Sequence, residues 1–154
     1  MRVRPATSED SIEILRWRND LNSRLSSRNS EIIPFEAHQV WFEQVMSDPE
    51  RVLLIGENTD GQPMGQVRFD RMRTEPDTYE VSITIAPEAR GRGFSLQLLT
   101  AAEDQLLQTT GFLILRAYVD VGNKVSERLF ETGGYSIISS VETPGQWWKK
   151  EIHV

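Results

Sequence analysis

The chain has 154 residues, of which 38% are hydrophobic and 26% charged, enough for one globular domain with a real core. Its formal net charge of −6 argues against a nucleic-acid platform, and the lack of cysteine excludes disulfides, thiolate nucleophiles and cysteine zinc sites; His38 and His153 alone exclude a histidine-rich metal site. The opening MRVRPATSED lacks the apolar stretch of a signal peptide, and nowhere do about 18 apolar residues run together, which points to a cytoplasmic protein with no membrane partner.

No repeat, low-complexity tract or linker divides the chain, so residues 1–154 are read as a single domain. MRVRPA reads as a short first strand, with Met1 and Val3 alternating against Arg2 and Arg4. Ser8 reads as a helix N-cap, and Ile12, Ile14, Leu15 and Leu21 give the following segment a rough helical face. NSRLSSRNSEIIP is polar and irregular, hence a loop. A second helix is expected from about Pro34 to Ser47, where Phe35, His38, Trp41, Phe42 and Val45 recur at helical spacing. RVLLIGEN and MGQVRFDRM form two strands around the turn TDGQ. In TYEVSITIAP, Val81, Ile83 and Ile85 face one way and Glu80, Ser82 and Thr84 the other. A helix marked by Leu96, Leu99, Ala102 and Leu106 ends near Gly111, and FLILRAYVD reads as a strand covered on both faces. NKVSERLFETGG is a short helix capped by Asn123; strands over about Tyr135 to Val141 and Trp147 to Val154 close the chain. This order gives a mixed sheet with helices on both faces.

Between the strand ending at Ile85 and the helix of Leu96 lies IAPEARGRGFS. A glycine-rich turn entering a helix exposes backbone N–H groups at the positive end of the helix dipole, a place that binds anions and above all phosphates. Gly91 and Gly93 permit close approach, and Arg90 and Arg92 add charge. The spacing fits neither G-x-x-x-x-G-K-[ST] nor G-x-G-x-x-G. A tight turn with solvated arginines accounts for RGRG in isolation equally well.

VSITIAPEARGRGFSLQLLTAAE resembles the acetyl-coenzyme A binding segment of the GNAT N-acetyltransferase superfamily, with Arg90, Gly93 and Ser95 at the motif positions. Ser95 replaces the usual glycine or alanine. LRAYVDVGNKVSERLFETGGYSI is similar to the family's later strand, asparagine and helix. The resemblance implies an α/β (α+β) fold: a mixed, mostly antiparallel twisted sheet of about seven strands flanked by about four helices. It implies acetyl-coenzyme A as co-substrate, its thioester carbonyl held by a backbone N–H at Ile85 or an immediate neighbour, with Ala86 and Pro87 also beside the cofactor. The pyrophosphate would lie on the turn formed by Arg90, Gly91, Arg92, Gly93, Phe94 and Ser95. Glu80 stands where family members carry a base, and a solvated strand end explains it as well. Asn123 is either a pantetheine contact or simply a cap. Phe130 stands where the family often has a tyrosine that protonates the thiolate, which leaves Ser126 and Tyr118 as candidate hydroxyls. Tyr135 reads as core.

ILRWRNDLNSRLSSRNSEIIPFEAHQVWF, with GQVRFD later, resembles members that acetylate nucleotide-linked amino sugars, including the pseudaminic acid pathway type; related patterns occur in those that acetylate ribosomal protein N-termini. Arg18, Arg24 and Arg28 with Asn19 and Asn22 offer donors to a sugar or diphosphate. Trp17 and Trp41 offer stacking faces, although Trp41 also fits the core side of its helix. His38 reads either as a plain helix residue or as a substrate contact. The expected activity is acetylation of a primary amine on a small, nucleotide-linked amino sugar. The alternatives are a protein N-terminal acetyltransferase and a silent acyl-coenzyme A sensor, the latter kept open by Phe130. Trp147 and Trp148 read either as the contact of a homodimer, a common assembly in the family, or as residues that fill the core.

Overall fold

Antiparallel neighbours account for most of the sheet. The computed structural model describes residues 1–25, 30–139 and 145–154. Its strands are β1 (Arg2–Pro5), β2 (Arg51–Glu57), β3 (Pro63–Arg71), β4 (Thr78–Ile85), β5 (Phe112–Asp120), β6 (Ser136–Ser139) and β7 (Gly145–His153). They form one seven-stranded sheet in the order β1-β2-β3-β4-β5-β7-β6, in which only β4 and β5 run parallel. The helices are α1 (Ser11–Asn19), α2 (Leu21–Leu25), α3 (Phe35–Ser47), α4 (Phe94–Thr110) and α5 (Lys124–Thr132). The short α2 occupies part of the stretch expected to be irregular, whose remainder falls partly outside the described residues.

Two apolar clusters lie on opposite faces of the sheet. On one, Leu98, Leu99, Ala102 and Leu106 of α4 and Phe130 of α5 pack on Leu54, Val67, Phe69, Val81, Leu113, Leu115, Ala117 and Val119. On the other, Ile14 and Trp17 of α1 and Phe42 and Val45 of α3 pack on Leu53, Ile55 and Met64. The spacings of three and four in the helices and of two in the strands put these residues on single faces.

Three expectations are corrected. Thr7 caps the 3-10 turn Ser8–Asp10 that leads into α1, its N–H donating to the Asp10 carboxylate at 2.7 Å; Ser8 lies inside that turn, and the residue at the N-cap of α1 is Asp10. Asp10 is buried because Arg4 donates to both its oxygens, at 2.8 and 2.9 Å, while also bonding Glu57. FLILRAYVD alternates buried and half-buried residues and is fully covered on one face only, because β5 borders an opening on the other. Trp147 and Trp148 point to opposite faces: Trp148 is buried in the first cluster, and Trp147 stacks edge-on against Tyr118 at 5.4 Å. Among the described residues, no helix is long and apolar enough to cross a membrane.

Candidate active site

The site begins where two parallel strands part. β4 and β5 pair only at Thr78↔Ile114, Tyr79↔Leu115 and Glu80↔Arg116. Beyond that point β3 holds β4 as far as Ile85 and β7 holds β5 as far as Asp120, so each strand follows its antiparallel neighbour and a gap opens between them. A cleft of about 820 Å³ fills the gap, lined by every β4 residue from Glu80 to Ile85. The Ala86 N–H donates to Met64 O at 2.8 Å on the β3 side. Alternation along the strand therefore turns the N–H groups of Ile83 and Ile85 away from β3, into the gap.

At the far end of β4 the chain turns through Pro87–Ala89 and enters α4. Gly91 and Gly93 adopt φ of 76° and 78°, the left-handed region that disfavours other residues. Gly93 is the N-cap of α4 and brings no side chain to cap it, so the N–H groups of Phe94, Ser95 and Leu96 in the first turn remain available at the positive end of the dipole. Beyond the adjoining residues, no atom of the described residues lies within 4 Å of where a Cβ would stand on either glycine. An open cradle of backbone donors of this kind fits the pyrophosphate of coenzyme A.

Not every residue expected there belongs to it. Ala86 is fully buried in the second apolar cluster, and Pro87 starts the turn outside the cleft lining, because the chain leaving β4 must first seat Ala86 and Ala89 in that cluster. Arg90 lines the cleft, but its guanidinium pairs with Asp20 at 2.7 Å and donates to Ser23 Oγ at 2.9 Å, while its N–H reaches Pro87 O at 3.4 Å. Arg92 is exposed. The Arg90 charge is thus already matched by Asp20, which leaves the backbone donors and the exposed Arg92 to the turn.

Glu80 is half-buried on β4, opposite Asp70 of β3, and lines the cleft beside Ser82 and Arg68. Tyr118 faces the same cleft from β5, and Ser126, Asn123 and Phe130 enter from α5. Asn123 caps α5, its Oδ1 accepting from the Ser126 N–H at 3.2 Å. Phe130 is buried edge-on against Tyr135 at 5.0 Å. Tyr135 itself is a core residue: its hydroxyl donates to Glu103 Oε2 at 2.6 Å, and burial together with that carboxylate pushes its pKa far above the ordinary tyrosine value.

The residues expected to bind the acceptor divide sharply. Trp17 is fully buried in the second cluster and offers no face to a ligand, because its helical position points inward with Ile14. Asn19 uses both ends of its amide on Ile33, accepting from its N–H at 2.7 Å and donating to its carbonyl at 2.9 Å. Arg24 is spent on the carbonyls of Asn19 and Ser30. Both therefore fasten the chain around α2 instead of presenting donors. Arg28 lies outside the described residues. His38 is fully buried and bonded on both ring nitrogens, to Ser11 O at 2.8 Å and to Arg18 Nη1 at 3.2 Å, so it is not a substrate contact. Arg18 is half-buried with its guanidinium carbon 3.9 Å from the centre of the half-buried Trp41 ring.

Sequence reading misses Arg68, Asp120, Leu25 and Val125, all of which line the cleft. Arg68 alternates with Gln66 and Asp70 on β3 and is signalled only by its register with Ser82. Asp120 ends the parallel strand, a position that faces the opening only because β4 departs.

No curated protein matches the chain. Among solved structures it is similar to spermidine N-acetyltransferase from Vibrio cholerae in complex with CoA and spermine, at TM-score 0.83 and 19% identity over 99% of this chain and 94% of that one. It is also similar to ribosomal-protein-alanine N-acetyltransferase from Brucella melitensis, at TM-score 0.78 and 21% identity over 100% of both chains. An N-acetyltransferase from Staphylococcus aureus Mu50 matches at TM-score 0.76 and 21% identity over 99% and 97%. The sequence profile of the acetyltransferase (GNAT) family matches residues 13–135, a span that takes in the parting strands, the glycine turn and α5. The chain belongs to the GNAT family of acetyltransferases, whose co-substrate is acetyl-coenzyme A.

Proposed function

We propose that this acetyltransferase acts on the primary amine of a small, nucleotide-linked amino sugar, with Glu80 accepting the proton that the amine loses. The carrying observation is the gap between β4 and β5, which joins the glycine turn to Glu80, Ser82, Arg68 and Tyr118 in one cleft. Acetyl-coenzyme A supplies an acetyl thioester, whose C–S bond is exchanged for a C–N bond to the amine. The N–H groups of Ile83 and Ile85 would hold the thioester oxygen as it gains charge. Glu80 takes the amine proton directly or through water beside Ser82. A thiol with a pKa of about 8.5 leaves readily as the thiolate, and Tyr118 and Ser126 are the nearby hydroxyls that could return a proton to it. The acceptor assignment is supported by the likeness of the WRN, H-x-x-W-F and GQVRFD segments and by the guanidinium groups around Trp41.

A protein N-terminus is the second reading. It is favoured by the exposed apolar rim of the cleft, where Leu25 is 65% and Val125 80% accessible, a surface that suits a peptide. Initial rates with acetyl-coenzyme A on a nucleotide-linked amino sugar, an N-terminal peptide and spermidine separate these. The nucleotide-linked sugar should give the highest kcat/KM; preference for the peptide would install the second reading. Binding of acetyl-coenzyme A without turnover on any amine would instead favour a sensor. Glu80→Gln should lower kcat by about 100-fold or more and abolish the acid limb of the pH profile. An unchanged rate and profile would remove Glu80 from the reaction.

A further inference from the structure

Arg18 is held by two neutral groups. The carbonyl of Ser11 can only accept, so His38 Nε2 carries the proton of the 2.8 Å bond between them. His38 Nδ1 is then an acceptor and takes the Arg18 Nη1 hydrogen at 3.2 Å. The flat face of the guanidinium lies on Trp41 at 3.9 Å. Among the described residues, no carboxylate forms an ion pair with Arg18. Three half-buried arginines of the sheet have carboxylate partners: Arg68 and Arg51 share Asp70, at 2.9 and 3.2 Å, and Arg116 meets Glu75 at 3.0 Å. Burial, and secondarily the charge of Arg68, lowers the Arg18 pKa to about 10, the direction expected of a cation short of a counter-charge.

Neither Arg18 nor Trp41 lines the cleft itself, but through the shared ring both adjoin Arg68, which does. Arg68 lies on the same Trp41 ring, 5.4 Å from its centre, reaches towards Ser82 Oγ at 3.5 Å and lines the cleft. Ser82 is one same-face step, about 7 Å, from Glu80 along β4.

Building on the acetyltransferase reading, we infer that Arg18, oriented by His38 and Trp41 and seconded by Arg68, binds an oxyanion carried by the acceptor. That group would sit about 7 Å or more from the amine. The required substrate class is thus an amine with a remote phosphate or carboxylate, and polyamines are disfavoured because their second ammonium would face the unpaired Arg18 guanidinium. Phosphate in a sugar nucleotide and carboxylate in a long amino acid satisfy the same site, through the paired N–H donors that guanidinium offers either group.

Calorimetric titration of the coenzyme A-saturated protein with matched probes tests this. The phosphate arm compares glucosamine 6-phosphate with glucosamine, the carboxylate arm 6-aminohexanoate with 6-aminohexanamide, and spermidine is titrated beside them. The anionic member of at least one pair should bind about ten-fold more tightly than its neutral partner and than spermidine, and the responding arm names the anion. Arg18→Gln should erase that difference and Arg18→Lys retain part of it, while acetyl-coenzyme A affinity stays unchanged. Equal binding within both pairs, no binding of either anionic probe, tighter binding of spermidine, or a preference that survives Arg18→Gln would each overturn the inference. Acetylation of amines without any anion preference would sink only this inference. An anion preference with no acetylation of a nucleotide-linked sugar would sink only the acceptor proposed above.

Discussion

His38 shows how one buried side chain ties stability to pH. Burial lowers its pKa below the ordinary histidine value, the hydrogen bond to Ser11 O opposes the shift, and the Arg18 charge adds to it. An unfolded histidine takes up a proton near pH 6.5, whereas folded His38 does so only at lower pH. Between those values the unfolded state binds more protons, so stability falls as the pH drops below about 6.5. Asp20 and Glu88, whose pKa values are also lowered, act in a separate window: their contribution is present above about pH 4 and is lost as the pH falls through their folded values. The melting temperature should therefore decline from pH 6.5 towards 5, and His38→Gln should flatten that stretch. Equal slopes in the two proteins would show that His38 does not titrate there. None of this is visible in the sequence, since His38 meets Ser11 and Arg18 across 27 and 20 residues and its helical spacing announces only an inward position.

Single elements are held in place by polar pins as well as by apolar faces. Glu103, buried on α4, accepts from Tyr135 Oη at 2.6 Å and from Lys150 Nζ on β7 at 2.8 Å, locking that helix to the end of the sheet. Glu103→Ala would leave both donors short of a partner and should cost about 2 kcal/mol, read as a lower urea midpoint at unchanged m. A loss within about 0.5 kcal/mol would mean that water replaces the carboxylate. The turn before α4 is pinned in the same way to α1 and its exit, through Arg16–Glu88 at 2.6 Å and Arg90–Asp20 at 2.7 Å. Elements defined by local rules were legible in the sequence: the Asn123 cap, the alternation of β4 and the glycine entry to α4 depend on neighbours in the chain. Side-chain destinations were not. Arg90 reads as a phosphate ligand because charge beside glycine suggests one, yet Asp20 lies 70 residues away in the chain and claims it.

At the scale of the molecule, the site is a defect in an otherwise continuous sheet. The order of strands and helices allowed the mixed sheet with helices on both faces to be read from the sequence, but not the place where β4 and β5 separate. That depends on β3 and β7 pulling the strands apart after Glu80 and Arg116. For the same reason Glu80 and Tyr118, far apart in the chain, could be proposed only singly, and the cleft that joins them emerged with the fold. The central claim is that the glycine turn at one end of this gap seats the cofactor. The direct test is calorimetric titration of acetyl-coenzyme A into the wild type and Gly93→Asp. Aspartate tolerates the left-handed backbone of position 93 better than most residues, and its carboxylate would stand in the open space before the α4 N-terminus. Tight binding by the wild type, weakened about 100-fold or more in a variant that still melts cooperatively, is the predicted result. Equal affinity in the two proteins would place the pyrophosphate elsewhere and contradict the account.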